Sequence, residues 1–156
     1  MHRHVGSTLA LLILAAPRGA VAQTSLAGRW RTAFDVGIRV VDGVESSEGK
    51  GHARITLEVK GDSVVGQWLN IDSPGGAPRT PRPLRGVVTD SGARLETVEP
   101  REVVLRTPDG EQHFQTTMTY TFRLRGDSLV GTEQWIAVDR SSRGPLRPFV
   151  ATRERP

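Results

Sequence analysis

Ile55–Trp68 reads ITLEVKGDSVVGQW, and Tyr120–Trp135 reads YTFRLRGDSLVGTEQW. Each copy runs an alternating strand into a basic residue, Gly, Asp and Ser, then a second alternating strand with an apolar pair, Gly and a Trp. The unit is a β-hairpin written twice. Gly and Asp supply the turn, because Gly takes positive φ without a steric penalty and the Asp carboxylate bonds nearby backbone N–H groups. Recurrence of the hairpin predicts a meander of antiparallel strands. It specifies the architecture far better than the activity.

Outward from these hairpins the period stays at two. Trp30, Thr32, Phe34, Val36, Ile38 and Val40 share a face, with Arg29, Arg31, Asp35 and Arg39 opposite. Ala53, Ile55, Leu57 and Val59 stand against His52, Arg54, Glu58 and Lys60, and the hairpin partner runs from Val64 to Ile71. Further strands are expected at Leu84–Thr89, Arg94–Val98 and Glu102–Arg106, separated by Asp90-Ser91-Gly92 and other turn formers. After Pro108-Asp109-Gly110 comes the longest, with Phe114, Thr116, Met118, Tyr120, Phe122 and Leu124 on one side; Leu129–Val138 returns, and Phe149–Arg153 closes the series. Eight or nine strands joined by tight turns predict an all-β fold, a single antiparallel up-and-down β-barrel, because closure removes the exposed edges of a sandwich. Gly66 and Gly131 hold equivalent places in the two hairpins and read as geometry: a missing side chain permits strong coiling or close packing.

The N-terminus is set apart from this pattern. Arg3 precedes a short apolar run, Leu9–Ala16, and Ala20-Val21-Ala22 has the small residues of a cleavage site, so residues 1–22 are expected to be a secretory signal peptide. The apolar run ends at Pro17-Arg18, well short of the roughly 20 residues that a membrane span needs. Residues 23–156 are then the barrel domain, and the product is expected to be periplasmic or secreted. The chain contains no Cys, so its core must hold without disulfides and no lipid-modified cysteine follows the signal. Arg3 and Arg18 account for two of the four net positive charges. The remaining basic residues alternate with acids along strands instead of forming a block among aromatics, which argues against a nucleic-acid partner.

Gly28-Arg29-Trp30 and Phe149-Val150-Ala151-Thr152-Arg153 resemble the Gly-x-Trp opening and the closing strand of lipocalin-like, calycin-type barrels, and the repeated Gly-Asp-Ser hairpins resemble those of small exported bacterial barrels. The resemblance implies structural roles for Gly28, Trp30 and Arg153, with the Arg153 guanidinium stacked on Trp30 where the first and last strands meet. The chain departs from true lipocalins in lacking a disulfide, a C-terminal helix and their length, which argues against a deep carrier pocket.

By parity Trp30, Phe34, Trp68, Phe114, Met118, Tyr120, Phe122 and Trp135 point inward with the polar Thr32, Asn70, Thr116 and Glu133. Aromatic walls with a few converging polar groups describe a small-molecule site, and they equally describe a packed core with wet ends. Phe34, Trp68, Asn70, Met118, Tyr120, Glu133 and Trp135 are the candidate ligand contacts. Glu133 discriminates most: Trp follows Gly by two residues in the first hairpin and by four in the second. A bulge could turn Glu133 outward, an internal Arg such as Arg153 could pair with it, or a ligand could meet it.

Catalytic and cofactor signatures are thin. His52 and His113 fall on the solvent face, Ser63 and Ser128 lie in turns, and neither a Walker loop nor a dinucleotide fingerprint occurs, so no metal or cofactor is expected. Arg125-Gly126-Asp127 spells an adhesion tripeptide, but its place at a hairpin apex is explained by turn chemistry. The Pro-rich stretch 73–83 (SPGGAPRTPRP) with Arg79, Arg82 and Arg85 is either a spacer or a basic surface for a protein partner. Two functions follow from these features: an exported barrel holding a small, largely apolar ligand in its open end, or a filled barrel acting as an interaction, inhibitor or envelope accessory module. An enzyme ranks third.

Overall fold

A computed structural model describes residues 26–36, 39–41, 44–72, 79–107 and 109–155. Residues 1–22, read from sequence as a signal peptide, and most of the 73–83 loop lie outside them. The strands are β1 (Gly28–Val36), β2 (Arg39–Val41), β3 (Val44–Ser46), β4 (Gly49–Lys60), β5 (Ser63–Asp72), β6 (Arg82–Val88), β7 (Gly92–Thr97), β8 (Arg101–Thr107), β9 (Gly110–Arg125), β10 (Ser128–Ala137) and β11 (Arg147–Arg153).

Eight of these, in the order β1-β4-β5-β6-β7-β9-β10-β11, close into an antiparallel barrel when β11 pairs with β1. Neighbours in the barrel are neighbours in sequence among the strands that build it, the arrangement expected of short hairpin connections. The ambiguity between eight and nine strands is resolved by β9, whose 16 residues span roughly 50 Å at the usual rise per residue. Its second half pairs with β7 and β10, while its first half pairs with β8 and projects past the rim. β8 is therefore an extra strand outside the barrel.

The repeated hairpins turn as their sequence predicts. Lys60 faces Ser63 and Arg125 faces Ser128, leaving Gly61-Asp62 and Gly126-Asp127 as two-residue loops. The first residue of each loop takes positive φ, +59° at Gly61 and +56° at Gly126, the sign pattern of a type II′ turn. At Gly66 an added Cβ would overlap the carbonyl oxygen of Thr56 and sit 2.8 Å from Leu57 Cδ2; at Gly131 it would overlap the carbonyl oxygen of Thr121. Both glycines thus let neighbouring strands approach and coil, the structural role read from their recurrence.

Alternation places Trp30, Ala53, Ile55, Leu57, Val64, Leu84, Leu95, Phe122, Leu129 and Phe149 in one buried cluster inside the barrel. Thr32 is buried among them, and its hydroxyl donates to the Val150 carbonyl at 2.7 Å, so this deep polar group carries no unmet bond.

Candidate functional site

The barrel has two unlike ends. The lower one, where β1 and β5 begin and β4 and β11 finish, is sealed. Trp30 is fully buried there, its indole N–H donates to the Leu26 carbonyl at 3.0 Å, and Leu26 plugs the base. Trp30 pairs in register with Arg153, whose guanidinium carbon lies 4.1 Å from the ring centroid. Arg153 Nη1 also donates to the Ala27 carbonyl at 3.0 Å. Gly28 completes this seam: its φ is +128°, and a Cβ would come within 2.9 Å of Arg153 Nη1. Gly28, Trp30 and Arg153 thus meet at this seam.

The upper end is the mouth, and its chemistry is different. Trp68 lies 5.5 Å from Tyr120 in a stacked pair with 23° between planes, and Phe34 meets the other side of Trp68 edge-on at 5.7 Å. Tyr120 in turn meets Phe149 edge-on at 5.3 Å. The rings fill the barrel by packing on one another, so Trp68 and Tyr120 form a floor beneath the mouth. Asn70 holds that floor in place by accepting the Trp68 indole N–H at 2.8 Å. Met118 is partly buried against the same core.

Trp135 stands apart from this floor. It pairs in register with Met118, but its ring contacts Phe114 at 6.2 Å, toward the projecting ribbon. The segment after β10 folds against it: Gly144 N–H donates to the Trp135 carbonyl at 2.9 Å, and a Cβ on Gly144 would overlap the indole. The structure therefore brings Phe34, Trp68, Asn70, Met118 and Tyr120 together and places Trp135 at the rim with Phe114.

Glu133 keeps strict alternation. The β9–β10 register runs without a shift from Ser128 to Ala137, so no bulge turns it outward, and it stands opposite Tyr120 on one side and Arg147 on the other. Arg147, not Arg153, is its cationic neighbour. Burial pushes the Glu133 carboxyl above the ordinary carboxylate range, and the Arg147 charge offsets only part of that shift; Asp35 raises it further, while Lys50 acts the other way. Lys50 and Asp35 themselves pair at 2.6 Å, and that bond holds the Asp35 carboxyl below its usual value. Burial likewise pushes the Tyr120 hydroxyl well up, with the Glu133 charge adding to it, so Tyr120 stays protonated.

Two arginines at the mouth were missed by the strand limits drawn from sequence. Arg82 opens β6 instead of belonging to the loop, and its guanidinium carbon sits 5.6 Å from the Trp68 centroid with Nη2 3.5 Å from Asn70 Oδ1. Burial lowers its pKa, and the like charge of Arg101 lowers it further. Arg147 opens β11 on the same side as Phe149, Ala151 and Arg153. Extending the alternation by one inward position at each strand start, from Leu84 to Arg82 and from Phe149 to Arg147, finds both.

The histidines lie where expected, outside the barrel: His52 Nδ1 is 2.9 Å from Asp72 Oδ1, and His113 Nδ1 is 3.1 Å from Glu102 Oε1. Among the described residues no group of three or more His, Asp or Glu is placed to hold a metal ion. The mouth thus offers an aromatic floor, a desolvated guanidinium, an amide and a carboxyl with raised proton affinity. Such a set suits recognition of a small molecule with an apolar body and a polar group. Comparison with protein-family models, with curated proteins and with solved structures finds no match for this chain.

Proposed function

We propose that the protein is an exported, lipocalin-like barrel, periplasmic or secreted, that binds a small, largely apolar molecule at its mouth. The ligand would rest on the Trp68–Tyr120 floor beside Phe34 and Met118, with one polar group reaching Arg82, Asn70 or Glu133. The observation that carries this reading is the state of Arg82: a guanidinium half-withdrawn from water, stacked over Trp68, with one long bond, to Asn70, among the described residues and a like charge nearby. A charge held in low dielectric at the barrel end, stacked on a ring, is a candidate functional group. Because the rings fill the barrel below, the ligand is shallow and small.

Native mass spectrometry of the purified protein, joined to a fluorescence titration with N-phenyl-1-naphthylamine, tests the proposal. A co-purifying small molecule, or saturable dye binding that Arg82→Gln and Phe34→Ala both weaken, supports it. An intact barrel that carries nothing and leaves the dye in water overturns it. That result favours the second reading, a filled barrel whose outside contacts a macromolecule, through the 73–83 loop or the outer strands. The feature behind this alternative is the exposure of Val65 (39 %) and Val87 (53 %) on the outer face of β5 and β6.

A further inference from the structure

The outside of a closed barrel is convex, and a hollow there requires a segment folded over it. The chain after β10 supplies one. Val138 N–H donates to the Gln115 carbonyl at 2.8 Å, Arg140 N–H to the Ala137 carbonyl at 2.8 Å, and Ala137 N–H to the Ser142 carbonyl at 2.9 Å, which curls residues 137–142 back against the wall. Arg140 carries a φ of +62°, the sole non-glycine among the described residues in that region. An arginine held left-handed is unusual enough to ask what its position does.

What it does is wall a cleft of about 90 Å³ on the outer face of β7, β9 and β10. Arg94 and Glu96 line one side, Thr117 and Thr119 the floor, and Ile136 and Arg140 the other side. At roughly 30 Å³ of liquid per water, the space equals about three waters, room for one carboxylate or phosphate group. One carboxylate, Glu96, stands in the cleft with its negative charge, so Arg94 and Arg140 together leave the lining net positive. Glu96 accepts the Thr117 hydroxyl at 2.8 Å, and Asp139 accepts the Ser141 N–H at 3.0 Å and its hydroxyl at 2.6 Å. Among the described residues neither Arg94 nor Arg140 forms an ion pair.

We propose that this cleft is an oxyanion site, distinct from the mouth, which takes a carboxylate or phosphate group of a small solute between Arg94 and Arg140 over Thr119. Guanidinium groups suit it because they present paired N–H donors to planar or tetrahedral oxygens.

The test is an amide-resolved NMR titration with sodium phosphate and with sodium acetate, each against sodium chloride at matched ionic strength. The amides of Thr117, Thr119, Ile136 and Arg140 should follow saturating curves with phosphate or acetate and hold still with chloride. Preference for one salt identifies the group as phosphate or carboxylate. Arg140→Gly preserves the turn, since Gly takes positive φ freely, and should weaken binding about tenfold, the loss expected of one charge-assisted contact. Arg94→Gln, on a strand that needs no special backbone, should do the same. Shifts that never saturate, that chloride reproduces, or that survive Arg94→Gln unchanged would each overturn the site.

Discussion

Arg153→Met should open the barrel seam at a measurable cost. The contacts at stake include the following. The guanidinium lies 4.1 Å from the centroid of a fully buried indole, which places this cation–π contact toward the desolvated end of its range, about 1–2 kcal/mol. Its bond to the Ala27 carbonyl, a charged donor on a partly buried acceptor, adds about 1.5–3 kcal/mol. Asp127, 3.9 Å away and largely exposed, adds little. Met preserves the apolar stem over Trp30, so the substitution isolates the charge and its bonds and should cost about 3 kcal/mol. Urea unfolding followed by tryptophan fluorescence reads this directly: with a slope of about 2 kcal/mol per molar, the midpoint should fall by about 1.5 M. Arg153→Lys, which retains the charge but not the planar stack, should fall between, and Asp127→Asn should scarcely move. A midpoint for Arg153→Met within about 0.3 M of the parent would refute the idea that this contact closes the barrel.

Other substitutions probe the wall and the mouth. Gly131→Ala drives a Cβ into the Thr121 carbonyl and should lower stability by about 3 kcal/mol in the same urea assay, whereas Val130→Ala on the outer face should cost under about 1.5 kcal/mol. Glu133 has a native pKa raised above its unfolded value of 4.5, so the native state binds that proton more tightly and the associated stability is complete below about 4.5 and lost as pH rises through the native value. Glu133→Gln should therefore melt at a higher temperature than the parent at pH 7 and at the same temperature at pH 3; a lower melt at pH 7 would mean that pairing with Arg147 outweighs burial. Gly144→Ala pushes against the Trp135 indole and should shift the emission of that tryptophan while leaving global stability within about 1 kcal/mol, a separation that fails if residues 138–146 do not cover the ring.

Much of the fold was legible because a period of two has only one physical meaning in a half-buried sheet: inward Trp30, Ile55, Leu57, Trp68, Tyr120 and Phe122 are all buried, and Arg29 and Arg31 opposite them are exposed. The seam was legible only through the resemblance of Gly28-Arg29-Trp30 and Phe149–Arg153 to calycin-type barrels, which implied the stack of Arg153 on Trp30. The status of β8 was not. Glu102–Arg106 alternates like any other strand, and what excludes it from the barrel is the length of β9 and the break near Thr97, where the Met118 N–H bonds the Thr97 hydroxyl at 3.0 Å in place of a ladder carbonyl. Nor could alternation say which arginine faces Glu133. It gives the face of a side chain but not the stagger between β10 and β11, which barrel closure sets and which brings Glu133 to Arg147, six residues from Arg153. The φ of Arg140 left no mark at all, because left-handed arginines are imposed by the bonds around them.

The distribution of charge inside the barrel ties these points to function. Trp30 and Arg153 sit at the lower rim, where the guanidinium is bonded to the chain. From there upward the interior is apolar or, at Thr32, internally satisfied. Among the described residues charge returns near the mouth, where Arg82 and Arg147 each begin a strand and Glu133 faces Arg147. A barrel selected only to be filled would gain by replacing such groups with apolar ones of similar volume, because desolvating a charge costs more than an imperfect partner returns. Their position at one end, above stacked rings and within reach of solvent, is not explained by packing alone and agrees with the binding role proposed above.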